Sequence, residues 1–80
     1  MKIGTIDIGT NSMRLLIADY KNNKIENRKK YINITRIGQG VDDKGYITEE
    51  ALERNLNALK EFADKCIEEK CEKVYLNIHI

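Results

Sequence analysis

Ile6-Asp7-Ile8-Gly9-Thr10-Asn11-Ser12-Met13-Arg14-Leu15-Leu16-Ile17 is the stretch that decides how the rest of the chain is read. An apolar strand runs up to a single aspartate. A glycine and three small hydrogen-bonding residues turn the backbone, and a second apolar strand opens around an arginine. Alternation puts Ile6 and Ile8 on one face and Ile3, Thr5 and Asp7 on the other. In the second strand Met13, Leu15 and Ile17 line one side, and Leu16, Ala18 and Tyr20 the other. A strand apolar on both sides belongs in a sheet covered on both faces.

The turn itself carries chemistry. Gly9 lets the backbone bend sharply and approach a ligand closely. Successive backbone N–H groups in such a turn can converge on an anion. Thr10, Asn11 and Ser12 add side-chain donors, and Arg14 adds a permanent charge with a fork suited to phosphate oxygens. Asp7 would repel a bare phosphate, so its presence points to a hard cation such as Mg²⁺, or to an oriented water, standing between them. Together these are the parts used in phosphoryl transfer, where positioning and charge neutralisation do most of the catalysis. The alternative is a tight hairpin in which Asp7, Asn11 and Ser12 only satisfy turn backbone groups. Two features favour a ligand site. Asp7 has apolar strand neighbours, a costly place for an unpaired carboxylate. Three polar side chains are also more than a two-residue hairpin needs.

Working outward, Lys2 to Ile8 is the first expected strand and Ser12 to Tyr20 the second. After the polar turn Lys21-Asn22-Asn23-Lys24, a third runs from about Ile25 to Thr35, its many charges suiting an edge position. Short turns make these three an antiparallel meander. Arg36-Ile37-Gly38-Gln39-Gly40-Val41 breaks the pattern, and Asp42-Asp43-Lys44-Gly45 reads as a turn. Thr48 is the expected N-cap of a helix over residues 49–70, with Glu49 and Glu50 in its first turn. Its apolar stripe reads Leu52, Leu56, Leu59, Ala63, Cys66 and Ile67 with Phe62 flanking, and Glu53, Arg54, Asn57, Lys60, Glu61, Asp64 and Lys65 in water. Lys73 to Ile80 is a last strand, parallel to one of the first three. One helix covers one face of such a sheet, so the other face needs cover from sequence beyond Ile80 or from another chain, and self-association through it is expected.

Eighty residues make one domain or part of one, with about two-thirds of the unfolded surface buried. A formal net charge of +1 lacks the basic excess of a general nucleic-acid-binding module. No apolar run is long enough to span a membrane and no secretory signal is apparent. Cys66 and Cys71, five residues apart, would fall on different faces of a helix, so a local disulfide is not expected. Reduced thiols then read as a cytoplasmic protein. His79, the one histidine, reads as a solvent-exposed residue on the polar face of an edge strand.

Residues 6–15 resemble the first phosphate loop of the exopolyphosphatase and guanosine pentaphosphatase family, a branch of the superfamily of actin, sugar kinases and Hsp70 chaperones. Ile34-Thr35-Arg36-Ile37-Gly38-Gln39-Gly40-Val41 is similar to that family's threonine-arginine-leucine-glycine segment. Gly45 through Phe62 and Cys71-Glu72-Lys73-Val74 follow the same pattern, so the resemblance covers the chain to about Leu76. It implies an α/β, ribonuclease H-like half-domain with a mixed strand–strand–strand–helix–strand order over residues 1–80. It also implies a hydrolase that removes terminal phosphate from polyphosphate or guanosine pentaphosphate with Mg²⁺. Asp7 would place metal or water. Gly9, Thr10, Asn11 and Ser12 would form the phosphate loop, Arg14 would bind substrate phosphate, and Arg36 would assist. The family's fourth strand leads to an alanine-threonine-serine motif, a catalytic glutamate and a second phosphate loop. Here Leu76-Asn77-Ile78-His79-Ile80 stands instead, and the chain alone is expected to be inactive. The alternatives are a phosphate- or polyphosphate-binding module without catalysis, and part of a sugar kinase or actin-like ATPase.

Overall fold

The computed structural model describes residues 1–79, so Ile80, the expected end of the last strand, lies outside it. Its elements are β1 (Lys2–Gly9), β2 (Met13–Lys21), β3 (Lys24–Asn33), α1 (Val41–Lys44), α2 (Glu49–Glu68) and β4 (Lys73–His79). The strands form one sheet in the order β3-β2-β1-β4. β1–β2 and β2–β3 are antiparallel, and β4 pairs with β1 in parallel after the α2 crossover. The charged β3 is indeed an edge, where lysines and arginines discourage pairing with another chain.

Three local expectations change. The residues read as a turn at Asp42 form the short helix α1, closed by Gly45 in the left-handed conformation at φ 75°. β3 stops at Asn33 rather than Thr35, because the chain leaves the sheet there to pack beside the β1–β2 turn. The helix ends at Glu68, and Lys70 at φ 59° reverses the chain so that the Cys71 N–H donates to the Cys66 carbonyl at 2.9 Å. That reversal brings the two thiols together: both sulfurs lie beside Gly4, whose Cβ position is 2.8 Å from Cys66 Sγ and 3.5 Å from Cys71 Sγ. Both cysteines are free.

The core lies between α2 and one sheet face. Ile6, Ile8, Met13, Leu15 and Ile17 bury against Ala58, Phe62 and Cys66, as the alternation of β1 and β2 requires. Each large apolar side chain buried there contributes roughly 1.5–3 kcal/mol. Thr48 caps α2, its Oγ1 accepting from the Ala51 N–H at 3.2 Å. The buried face of α2 is Ala51, Asn55, Ala58, Phe62 and Cys66, not the leucine stripe expected from spacing. The sheet already presents five bulky side chains, so the helix meets it with two alanines and one phenylalanine. Lys65 lies over the Tyr31 ring and Lys29 pairs with Glu69, which turns that flank of α2 towards β3. The leucine ridge consequently faces the β4 side, and Leu52, Leu56 and Ile67 stay exposed.

β4 runs in register with β1, so Val74, Leu76 and Ile78 share the helix-side face with Gly4, Ile6 and Ile8. All three are exposed. An apolar trough therefore lies open between α2 and β4. The opposite sheet face, where Leu16, Ile32 and Tyr75 stand, has no helix over it among the described residues.

Candidate functional site

The strand register assembles the site at one end of the sheet. Asp7, on the face away from the helix, is paired across β1–β2 with Arg14 and across β1–β4 with Asn77. Asn77 Nδ2 donates to Asp7 Oδ1 at 3.0 Å, and His79 Nε2 lies 3.8 Å from the same oxygen. Arg14 forms no ion pair with Asp7 among the described residues, and its exposed guanidinium remains available to an anion.

The turn is closed by the Gly9 N–H, which donates to the Ser12 carbonyl at 2.9 Å. A Cβ on Gly9 would sit 3.2 Å from that same oxygen, so a side chain there would push the turn open. Thr10 and Asn11 are exposed at the tip and Ser12 is half-buried. Asp7, Gly9, Ser12, Arg14 and His79 line a hollow of about 190 Å³. A second hollow of about 420 Å³ adjoins it through Asp7 and Arg14, with Leu16 and Ile32 as apolar walls and Lys30 at hand. A third hollow, about 510 Å³, lies around Gln39, Lys44 and the start of α2. It holds none of the turn residues and carries Glu49 and Glu50, which would repel a phosphate.

The segment 35–39 forms the back of the turn. The Arg36 N–H donates to the Asn11 carbonyl at 3.1 Å, and the Cβ position of Gly38 is 3.0 Å from Thr10 Cγ2. This explains why the two motifs occur together in one sequence: one is the turn and the other is its support. The Arg36 side chain is exposed, while its backbone adopts φ 45°, a left-handed conformation uncommon for a residue with a Cβ.

Arg54, read as a solvated helix residue, instead reaches into this support. Its Nε donates to the Thr35 carbonyl at 2.7 Å, and its Nη2 to the Arg36 carbonyl at 3.2 Å and to Gln39 Oε1 at 2.8 Å. Asn55, beside it, is buried and donates to the carbonyls of Thr35 and Ala51. Sequence reasoning also passed over Asn77 and His79 as neighbours of Asp7. His79 is exposed as expected, yet it stands at the rim of the small hollow. The available signal was the alternation of β4, which puts Asn77 and His79 on one face, together with the parallel pairing that an αβ crossover implies.

A meander of three antiparallel strands, a crossover helix and a parallel fourth strand, with a glycine turn at the end of β1, defines a ribonuclease H-like half-domain of the actin-like superfamily. No family model matches the chain. It is 36% identical over 77 residues to Exopolyphosphatase 2 of Mycobacterium tuberculosis, covering 91% of this chain and 24% of that protein. It is 44% identical over 63 residues to a bifunctional 3-dehydroquinate synthase/phosphatase of Fusobacterium nucleatum, covering 72% of this chain and 10% of that protein. The crystal structure of the Aquifex aeolicus Ppx/GppA family member superposes with a TM-score of 0.91 at 33% identity, over 98% of this chain and 26% of that one. An exopolyphosphatase from Cytophaga hutchinsonii superposes at 0.88 with 36% identity, over 98% of this chain and 25% of that one. The chain is similar to the N-terminal part of the Ppx/GppA phosphatases and spans about a quarter of the length of these two solved relatives.

Proposed function

We propose that this chain supplies one wall of the active site of a phosphoanhydride hydrolase that releases terminal phosphate from polyphosphate or guanosine pentaphosphate. The observation that carries this reading is the hollow lined by Asp7, Gly9, Ser12 and Arg14 at the end of β1, in a chain similar to these phosphatases. Gly9 to Ser12 would cradle a phosphate with backbone N–H groups and hydroxyls, Arg14 would neutralise it, and Arg36 would approach from the supporting segment.

Mg²⁺ fits the donor set in one way only. Among the described residues no group of three or more His, Cys, Asp or Glu could hold a metal by itself. Asp7 offers one carboxylate, with Oδ1 fixed by Asn77. A single carboxylate completed by water and substrate phosphate is a usual arrangement for Mg²⁺. Such an ion would draw charge off the phosphate oxygens, while Asp7 holds its place and Arg14 binds the anion.

None of the acids in these residues matches the family's catalytic glutamate, so the chain by itself should bind without cleaving. The test is a titration with tripolyphosphate and Mg²⁺, followed by NMR, with phosphate release measured in parallel. The expected result is saturable binding centred on residues 9–14, lost in Arg14→Ala, with no phosphate released. Binding that Arg14→Ala leaves unchanged would refute the assignment and indicate unspecific charge attraction. A chain carrying further sequence of the parent should release phosphate; failure to do so with Asp7 and Arg14 intact would favour a binding module without catalysis.

A further inference from the structure

Arg54 lies on α2, outside every motif of the turn, yet three of its hydrogen bonds end on the segment that supports the turn. Thr35 O, Arg36 O and Gln39 Oε1 are its acceptors, at 2.7, 3.2 and 2.8 Å. The first two carbonyls bracket the left-handed residue Arg36. A non-glycine residue held at such a φ costs of order 1–3 kcal/mol and persists only where its surroundings fix it. The guanidinium, a rigid planar fork, bonds both carbonyls at once, alongside the Asn55 amide on the Thr35 carbonyl and the Gln39 N–H on the Arg36 carbonyl. From Arg36 the connection continues to the turn itself, through the N–H bonded to the Asn11 carbonyl and through Gly38 against Thr10.

We propose that Arg54 is a positioning residue for the phosphate turn: its guanidinium holds segment 35–39 in the conformation that presents Asn11 and Thr10 to the ligand. The importance of this contact to binding rests on the phosphate-binding reading of the turn. Arg54 touches no ligand in this scheme. Its effect is carried through the Thr35 and Arg36 carbonyls, Gln39 Oε1 and the Arg36 N–H bonded to Asn11.

Two substitutions separate the fork from the charge. Arg54→Lys keeps the charge and most of the stem but cannot reach three acceptors in one plane. Arg54→Met removes the charge as well. Arg28→Met, on the exposed β3 edge, controls for loss of one positive charge elsewhere. Hydrogen exchange at the Arg36 amide, whose N–H is bonded to Asn11, reports the support directly and needs no ligand. Both Arg54 variants should speed that exchange by about tenfold or more while the amides of β1 and β2 in the core keep their protection. Tripolyphosphate with Mg²⁺ should bind about three- to tenfold more weakly to both. Arg28→Met should change the exchange not at all and the affinity less.

Unchanged exchange at Arg36 in Arg54→Met would overturn the proposal. So would an affinity in Arg54→Lys equal to that of the unsubstituted chain, since charge alone would then account for the effect. If the unsubstituted chain shows no saturable tripolyphosphate binding, the phosphate reading of the turn fails. The exchange at Arg36 still decides, in that case, whether Arg54 holds the segment.

Discussion

Replacing Gly38 by alanine should weaken phosphate binding without unfolding the protein, and removing one methyl group from Thr10 should restore it. Gly38 is not among the residues with positive φ, so alanine fits its backbone. The strain comes from space: the new Cβ would sit 3.0 Å from Thr10 Cγ2. Carbon atoms pack best at about 3.5–4.0 Å. Thr10 is exposed, so it can yield by rotating about χ1, and a rotation of about 30° costs about 0.5–1.5 kcal/mol. The same rotation carries its hydroxyl away from the position it holds in the turn. If binding requires that position, the cost reappears as lost affinity, about two- to tenfold for tripolyphosphate. Global stability should hardly move, because alanine at a compatible φ also gains about 0.4–1 kcal/mol by restricting the unfolded chain. Thr10→Ser deletes Cγ2 and keeps the hydroxyl. The double variant should therefore bind like Thr10→Ser alone, a coupling that a double-mutant cycle reads directly. Calorimetric titration of the four proteins, with urea unfolding as a check on folding, is sufficient. If Gly38→Ala binds as tightly as the unsubstituted chain, or if Thr10→Ser fails to rescue it, segment 36–38 does not set the turn.

Three further outcomes are expected. Burial, with a smaller contribution from Cys71, pushes the Cys66 thiol from its ordinary 9.0 up to about 11. A folded-state pKa above the unfolded one gives stability that is complete below pH 9 and lost as pH rises through 11, so urea midpoints should fall over that range and fall less in Cys66→Ala. Thr35 is fully buried and its Oγ1 has no hydrogen-bond partner among the described residues, so Thr35→Val should raise the unfolding free energy by about 1 kcal/mol; a loss of that size would mean the hydroxyl is satisfied. The trough between α2 and β4 should bind a hydrophobic dye, and Leu56→Lys with Ile78→Lys should cut the fluorescence severalfold at unchanged circular dichroism; an unchanged signal would place the dye elsewhere.

The succession of strands along the chain was legible because alternation is a local property. Ile6 and Ile8, then Met13, Leu15 and Ile17, carry a period of two that survives into the buried face. The cap at Thr48 was legible for the same reason, since an N-cap bonds within its own first turn. The rotation of α2 was not. Its leucines and its alanine–phenylalanine face both repeat at helical spacing, and the choice between them depends on how much volume the sheet already presents. Arg54 was misread because a long cationic side chain on a helix is in water unless a distant carbonyl lies within reach, and nothing near it in sequence marks Thr35 as that partner. Asn77 and Asp7 are 70 residues apart, and only the parallel register of β4 on β1 brings them together.

The residues that would touch a phosphate and the residues that shape their position differ in burial. Thr10, Asn11, Arg14 and Arg36 are exposed, whereas Thr35, Ile37 and Asn55 behind them are buried. Substituting the first group would remove the proposed ligand contacts at little cost to folding, because an exposed side chain away from caps and buried partners rarely changes stability by more than about 0.5 kcal/mol. Substituting the second group alters the conformation of the turn and the packing of α2 together. Arg54 and Gly38 lie between these limits. Both are half-buried, and both would act on the turn through the segment behind it rather than at the ligand. That intermediate layer is where binding can be lost while the fold is kept, without removing any group that meets the ligand.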